Sequence, residues 1–174
     1  DLIRAVEDNN AYRVEKLLAK GANPDARNSR GYTALMLAAR HKKTRLGELL
    51  LAANADVSLR NSYGETALML ASYHGQLDMV KQLHQKAAHF DHAGWNPLIY
   101  AASNGHKKIV EFLLDAGANI NVTTDNGTTA LMMAVRGNHL DTARLLLTRG
   151  ANLQNSNEAG ESALDWANKN GRSD

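Results

Sequence analysis

The chain has 174 residues and a mass of 18.9 kDa, with 44% hydrophobic and 22% charged residues and a net charge of +2. That is the composition of a globular protein, and its overall charge marks it neither for nucleic acid nor for a membrane surface. With no cysteine, two prolines and only two Trp, five Tyr and two Phe, it excludes a disulfide scaffold and a cysteine-based zinc or redox site. No apolar run approaches the ~18 residues of a membrane span. Asp1 to Arg4 lack the basic-then-apolar order of a signal peptide. Because the chain begins without Met, it is expected to be a trimmed or processed piece.

Asp1 to Gly21 reads as a degenerate first helix pair, with Arg4, Glu7, Asp8 and Arg13 on its outer face. From there two phased strings alternate. One starts at Gly31 (GYTALMLAA), Gly64 (GETALMLAS), Gly94 (GWNPLIYAA), Gly127 (GTTALMMAV) and Gly160 (GESALDWAN), at intervals of 33, 30, 33 and 33 residues. Apolar residues such as Leu35, Ala38 and Ala39 recur at i, i+3, i+4, which predicts a first helix whose small alanines admit a close neighbour. Thr33, Thr66, Thr129 and Ser162 stand at its start, where a hydroxyl caps free backbone N–H groups.

The other string is VEKLLAKGAN ending at Asn23, LGELLLAANAD at Asp56, IVEFLLDAGAN at Asn119 and TARLLLTRGAN at Asn152. Paired leucines predict a second helix that stops at Gly21, Asn54, Gly117 or Gly150, where a left-handed residue is wanted. Polar stretches of about nine residues, such as Asn23 to Arg30, then predict turns or short hairpins. Ser162 to Asp174 supplies one last helix, whose Asn168, Lys169 and Asn170 are expected to form a polar cap.

The period of 33, the TALMLAA tract and the LLxxGAN ending together resemble the ankyrin repeat over essentially the whole chain. The resemblance implies an all-α fold, a solenoid of antiparallel helix pairs with short hairpin-like fingers. About five pairs plus a terminal capping helix then make one domain spanning 1–174. In two respects the chain departs from the family. Met36, Met69, Ile99, Met132 and Asp165 stand where it has His, and only Pro97 keeps its Pro. These departures bear on hydrogen bonding in the turns.

The 30-residue interval falls in the third unit. Aligning Met79, Val80 and Leu83 with Ile109, Val110 and Leu113 puts His84 in a leucine position and Ala87 where the terminating Gly belongs. Holding Ala87 in the left-handed region would cost about 1–2 kcal/mol, so the helix is expected to end differently there. The finger from Ala88 to Ala93 is expected to be stunted, as a neutral loop deletion or as a notch flanked by Tyr63 and Trp95. A shortened third finger before GWxPL also resembles small exported bacterial ankyrin proteins, which implies a periplasmic location, with the cytoplasm as alternative.

His84, His89 and His92 beside Asp91 lack the spacing of a metal site, and no phosphate loop, nucleophile elbow or recurring acid pair appears. The chain is therefore expected to be no enzyme and to need no cofactor. His106 and His139 precede second helices and read as repeat residues. Asn121 and Asn126 match glycosylation sequons and read as polar finger-tip residues.

The resemblance implies a protein partner on the concave face of finger tips and first helices. Unit by unit this selects Arg27, Arg30, Tyr32, Arg40 and His41, then Arg60, Tyr63, Tyr73 and His74. His92, Trp95, Asn104, Asp125 and Arg136 follow. Tyr32, Tyr63, Tyr73 and Trp95 are expected to anchor the partner, since aromatic and arginine side chains dominate interface energetics. Between positions 27 and 60, seven basic residues (Arg27, Arg30, Arg40, Lys42, Lys43, Arg45, Arg60) face only Glu48 and Asp56, a local +5. This end is expected to orient an acidic partner surface toward a monomeric module. The alternative from another class is a nucleic-acid or other polyanion binder through the same basic end.

Overall fold

A computed structural model of the chain describes residues 1–90, 94–169 and 171. The chain divides into two compact units, Asp1–His89 and Phe90–Asp174. The first contains α1 (Leu2–Glu7), α2 (Ala11–Ala19), α3 (Ala34–Arg40), α4 (Thr44–Ala52), α5 (Ala67–Tyr73) and α6 (Leu77–Gln85). The second contains α7 (Pro97–Ser103), α8 (Lys107–Asp115), α9 (Ala130–Arg136), α10 (Leu140–Thr148) and α11 (Ala163–Lys169). Among the described residues there is no strand, only isolated antiparallel bridges such as Arg27 with Thr33 and Thr123 with Thr129 at finger bases.

Helices of six to nine residues are too short to persist alone in water, so packing and caps must hold them. In the first unit α1, α3 and α5 stack in one row and α2, α4 and α6 in a second. In the other unit α7, α9 and α11 form the first row, and α8 and α10 the second. The first helices α3 and α5 are buried almost all round: every residue from Ala34 to Ala39 is inaccessible, and alanine at 34, 38 and 39 lets neighbours approach. Second helices bury one stripe, such as Ile109, Val110 and Leu113 of α8. Met79 of α6 occupies the space that Gly47 of α4 leaves open.

The expected caps are present. Thr33, Thr66 and Thr129 Oγ1 accept the backbone N–H groups of Met36, Met69 and Met132 at 3.2–3.3 Å. Each threonine N–H in turn lies 3.3–3.4 Å from the Sδ of that same methionine. Sulfur therefore closes a reciprocal capping box in place of the family's histidine. In the last unit Asp165 closes it with a carboxylate, accepting from the Ser162 N–H at 2.7 Å.

Two expectations are corrected. The helix before Ala87 ends as its counterparts do. Ala87 sits at φ +59°, its N–H bonds the His84 carbonyl at 2.9 Å, and the Ala88 N–H bonds that of Leu83 at 3.0 Å. Gly117 and Ala118 repeat this pattern with Leu114 and Leu113 at 3.0 and 2.9 Å. Burial of Leu83 and Ala88 holds the ending, and the backbone strain of one alanine is the smaller term. The second correction concerns the C-terminal cap. Asn168 and Lys169 are exposed, but Leu140, Leu147, Leu153 and Leu164 are also 38–51% exposed around an apolar groove of about 260 Å³. Of the stunted third finger, residues 91–93 lie outside the described residues.

Candidate functional site

The fingers are built by side chains that hold their own backbone. Asn28, Asn61 and Asn157 Oδ1 each accept two N–H groups further along, as with Tyr63 and Glu65 on Asn61 at 2.9 Å. Neighbouring fingers are tied where Asp25 Oδ1 accepts from the Asp56 N–H and Asn121 Oδ1 from the Asn152 N–H, both at 2.8 Å. These links explain the Asn- and Asp-rich stretches and give the finger tips fixed positions. Asn121 thereby acts as a structural acceptor at its sequon.

In the first unit Tyr32, which follows the finger glycine Gly31, meets Arg40 at the end of α3 and Tyr63 of the next finger. Arg40 lies 5.2 Å from the Tyr32 ring centroid, and the Tyr63 ring is 6.4 Å from that of Tyr32. Tyr32 is only 5% exposed, and burial, then the Glu65 charge, pushes its hydroxyl above the ordinary tyrosine range. This corrects its expected role: Tyr32 is no exposed anchor but the support on which Tyr63 and Arg40 rest. Tyr63 is 68% and Tyr73 43% exposed, with His74 edge-on to Tyr73 at 5.0 Å.

The basic stretch does not form one free patch. Arg27 donates to the Arg60 carbonyl at 3.0 Å, and Arg60 to that of Gly64 at 2.6 Å. Arg45 pairs with Glu48 at 3.2 Å. Arg30, Arg40, His41 and Lys42 are exposed.

In the second unit Trp95 is 43% exposed and packs on Tyr100 at 5.0 Å. Asn104 Nδ2 donates to the Tyr100 carbonyl at 3.2 Å and to Ser103 Oγ at 2.9 Å, which fastens the end of α7. Asp125 is exposed, its carboxylate lying against Gly94. Arg136 is also exposed and lies over the Trp166 ring, 6.0 Å from its centroid. Trp166 is the residue the sequence reading missed. Its Nε1 donates to Glu161 Oε2 at 2.7 Å, and Glu161 Oε1 also accepts from Lys169. The signal for it was its register, the same as that of Tyr100 and three residues before the helix's last exposed side chain. Trp95, Asp125, Asn126, Met133, Arg136 and Trp166 thus line one cleft of about 280 Å³. His92 lies outside the described residues.

His139 serves the fold. Its ring lies against Gly105 and Gly137, and Nε2 contacts the Ser103 carbonyl at 3.1 Å. Among the described residues no three His, Cys, Asp or Glu side chains group as metal ligands. Hydrogen bonds from Lys169 and Trp166 push the Glu161 carboxyl below its ordinary range, and those from Ser162 and Ser58 do the same to Asp165 and Asp56. Each of these groups is driven further into its neutral-pH charge state, the opposite of what a general acid needs. No helix is long and apolar enough to cross a membrane, among the described residues.

The chain matches the family model for ankyrin repeats in three copies, over residues 2–93, 48–124 and 98–174, and it belongs to the ankyrin-repeat family. Repeats of this family are general protein–protein interaction modules, and such domains are typically non-catalytic. Among curated proteins, a stretch of 44 residues is 48% identical to human fibronectin type 3 and ankyrin repeat domains protein 1, covering 25% of this chain and 13% of that protein. A stretch of 57 residues is 40% identical to mouse ankyrin repeat, SAM and basic leucine zipper domain-containing protein 1, covering 31% and 12%. The NAD-capped RNA hydrolase NUDT12 of Macaca fascicularis is 48% identical over 42 residues, 24% of this chain and 9% of the hydrolase. The matches thus span only about a tenth of these relatives, and so short an overlap does not carry the hydrolase activity to this chain.

Proposed function

We propose that the chain is a non-catalytic module that binds a partner protein on its finger and first-helix faces, with Tyr63 and Tyr73 as anchors in the first unit and Trp95 in the second. The observation that carries this reading is the exposure of those rings, 68%, 43% and 43%, while Leu35, Leu37, Leu68, Leu70, Leu98 and Ile99 of the first helices are buried. An exposed aromatic group beside rigidly held loops is what a hot spot requires. Arg30, Arg40 and His41, exposed in the same unit, orient an acidic partner surface, with Arg27 and Arg60 contributing charge from tethered positions. His74 lies at the rim in the first unit, and Asn104, Asp125 and Arg136 at the rim in the second.

The test is capture of partners from native extract by wild type and by a Tyr63→Ala, Tyr73→Ala variant. A hot-spot aromatic is worth about 2 kcal/mol or more, roughly 30-fold in affinity, so the variant should lose the partner and melt normally. Retention of every partner would overturn the reading. The polyanion alternative needs guanidinium groups turned to phosphates, whereas Arg27 and Arg60 donate to carbonyls and Arg45 to Glu48. A steep loss of binding with salt that ignores the tyrosines would favour that alternative. We further propose that residues 1–174 act as one domain, supported by the matched stretch 48–124, which runs across the boundary between the units.

A further inference from the structure

Both tryptophans of the chain line one cleft of the second unit, and the charges around it are unequal in their engagement. Arg136 already lies over the face of Trp166, 6.0 Å from its centroid. Asp125, by contrast, has no ion-pair partner among the described residues, and it stands beside Gly94 at the foot of Trp95. The face of an indole carries negative charge density and attracts cations, so Trp95 and Asp125 favour the same kind of guest. At about 280 Å³ the cleft falls just below the usual range for small-molecule sites, about 300–1,000 Å³, and suits one protruding side chain.

We propose that this cleft is a receptor pocket for a single arginine or lysine side chain of the partner polypeptide, its stem across Trp95 and its charge on Asp125. Arg136 on Trp166 shows how a guanidinium lies on an indole in this cleft. Glu161 acts as a positioning residue, since its bond from Trp166 Nε1 at 2.7 Å fixes the plane of that ring. An anionic guest is the competitor, because Arg136 could turn to meet it. Against it stand the Trp95 face and the Asp125 carboxylate, both unfavourable to negative charge. The proposal rests on the partner-binding reading and names the chemistry that one part of the partner must present.

Because the chain has only two indole N–H groups, a ¹⁵N spectrum carries two signals that both report on this cleft. The probes are Ac-Gly-Arg-Gly-NH₂, its uncharged citrulline counterpart and Ac-Gly-Glu-Gly-NH₂, titrated into the full chain. The arginine peptide should move both signals and saturate in the millimolar range, with citrulline about threefold or more weaker. Asp125→Asn should abolish that difference while the two indole signals stay sharp and dispersed, as in the folded chain. Equal binding of citrulline, stronger binding of the glutamate peptide, or no movement of the indole signals would each overturn the pocket. Partner capture distinguishes the two readings. Capture lost on changing Tyr63 and Tyr73, with no peptide binding, sinks the pocket alone, whereas peptide binding with capture indifferent to the tyrosines sinks the anchor reading alone.

Discussion

Replacing Ala87 by glycine should stabilise the protein, although it removes a side chain and adds chain entropy. Ala87 is held at φ +59° at the end of α6, in the register where Gly21, Gly117 and Gly150 have φ of +82°, +96° and +90°. A left-handed conformation costs a residue bearing Cβ about 1–2 kcal/mol. Glycine gives back about 0.4–1 kcal/mol through the greater freedom of its unfolded chain. The Ala87 methyl is exposed, so its loss forfeits no burial. The net gain should be about 0.5–1 kcal/mol, or roughly 0.3–0.5 M in the urea midpoint at a slope near 2 kcal/mol/M. The mirror experiment is Gly117→Ala. No heavy atom lies within 4 Å of the added Cβ, so only the backbone term acts, and the loss should match the gain. Urea titrations followed by far-ultraviolet circular dichroism, with the slope unchanged, measure both. A midpoint that falls in Ala87→Gly, or stays put while Gly117→Ala costs ~1 kcal/mol, would refute the left-handed ending.

Ser72 stands where its repeat counterparts are Ala39 and Ala102, and its buried hydroxyl lacks a hydrogen-bond partner; Ser72→Ala should therefore raise the urea midpoint, by about 1 kcal/mol in stability. Thr129→Ala should cost about 1–2 kcal/mol through loss of the cap of α9, whereas Met132→Leu, which keeps volume but removes the sulfur acceptor, should cost under ~1.5 kcal/mol. Lys169 and Trp166 hold the Glu161 carboxyl below its unfolded value. A lowered folded-state value means that the contact stabilises at pH above the ordinary glutamate range and is lost as pH falls through the folded value. Trp166 fluorescence in a Trp95→Phe background should accordingly change below about pH 4.5, and Glu161→Gln should flatten that change.

Periodicity carried the fold because it is a property of packing. Each unit buries its stripe on its neighbours, so the period of 33 and the hydroxyl caps were visible in residue types alone. Ala87 was misjudged because a local penalty was weighed without the burial of Leu83 and Ala88 that outweighs it. The departure at Met36, Met69 and Met132 looked like lost hydrogen bonding. In three dimensions the sulfur reaches the threonine N–H. Sequence register placed Tyr32 beside its finger glycine but could not show that Tyr63 and Arg40 fold over it. Trp166 was assigned to the capping helix and its register went unused, which hid the second wall of the cleft. The exposure of Leu164 in α11 was likewise invisible, because it shares the register of the buried Leu35, Leu68, Leu98 and Leu131.

The central claim is that partners meet the finger and first-helix faces. Its most direct test places a photo-crosslinking amino acid at Tyr63, Tyr73 or Trp95, and for comparison at Lys16 or Lys81 on the exposed side of second helices. After irradiation in native extract, the first three positions should give the same partner adduct and the last two should give none. Adducts from Lys16 or Lys81 alone, with none from the aromatic positions, would contradict the account.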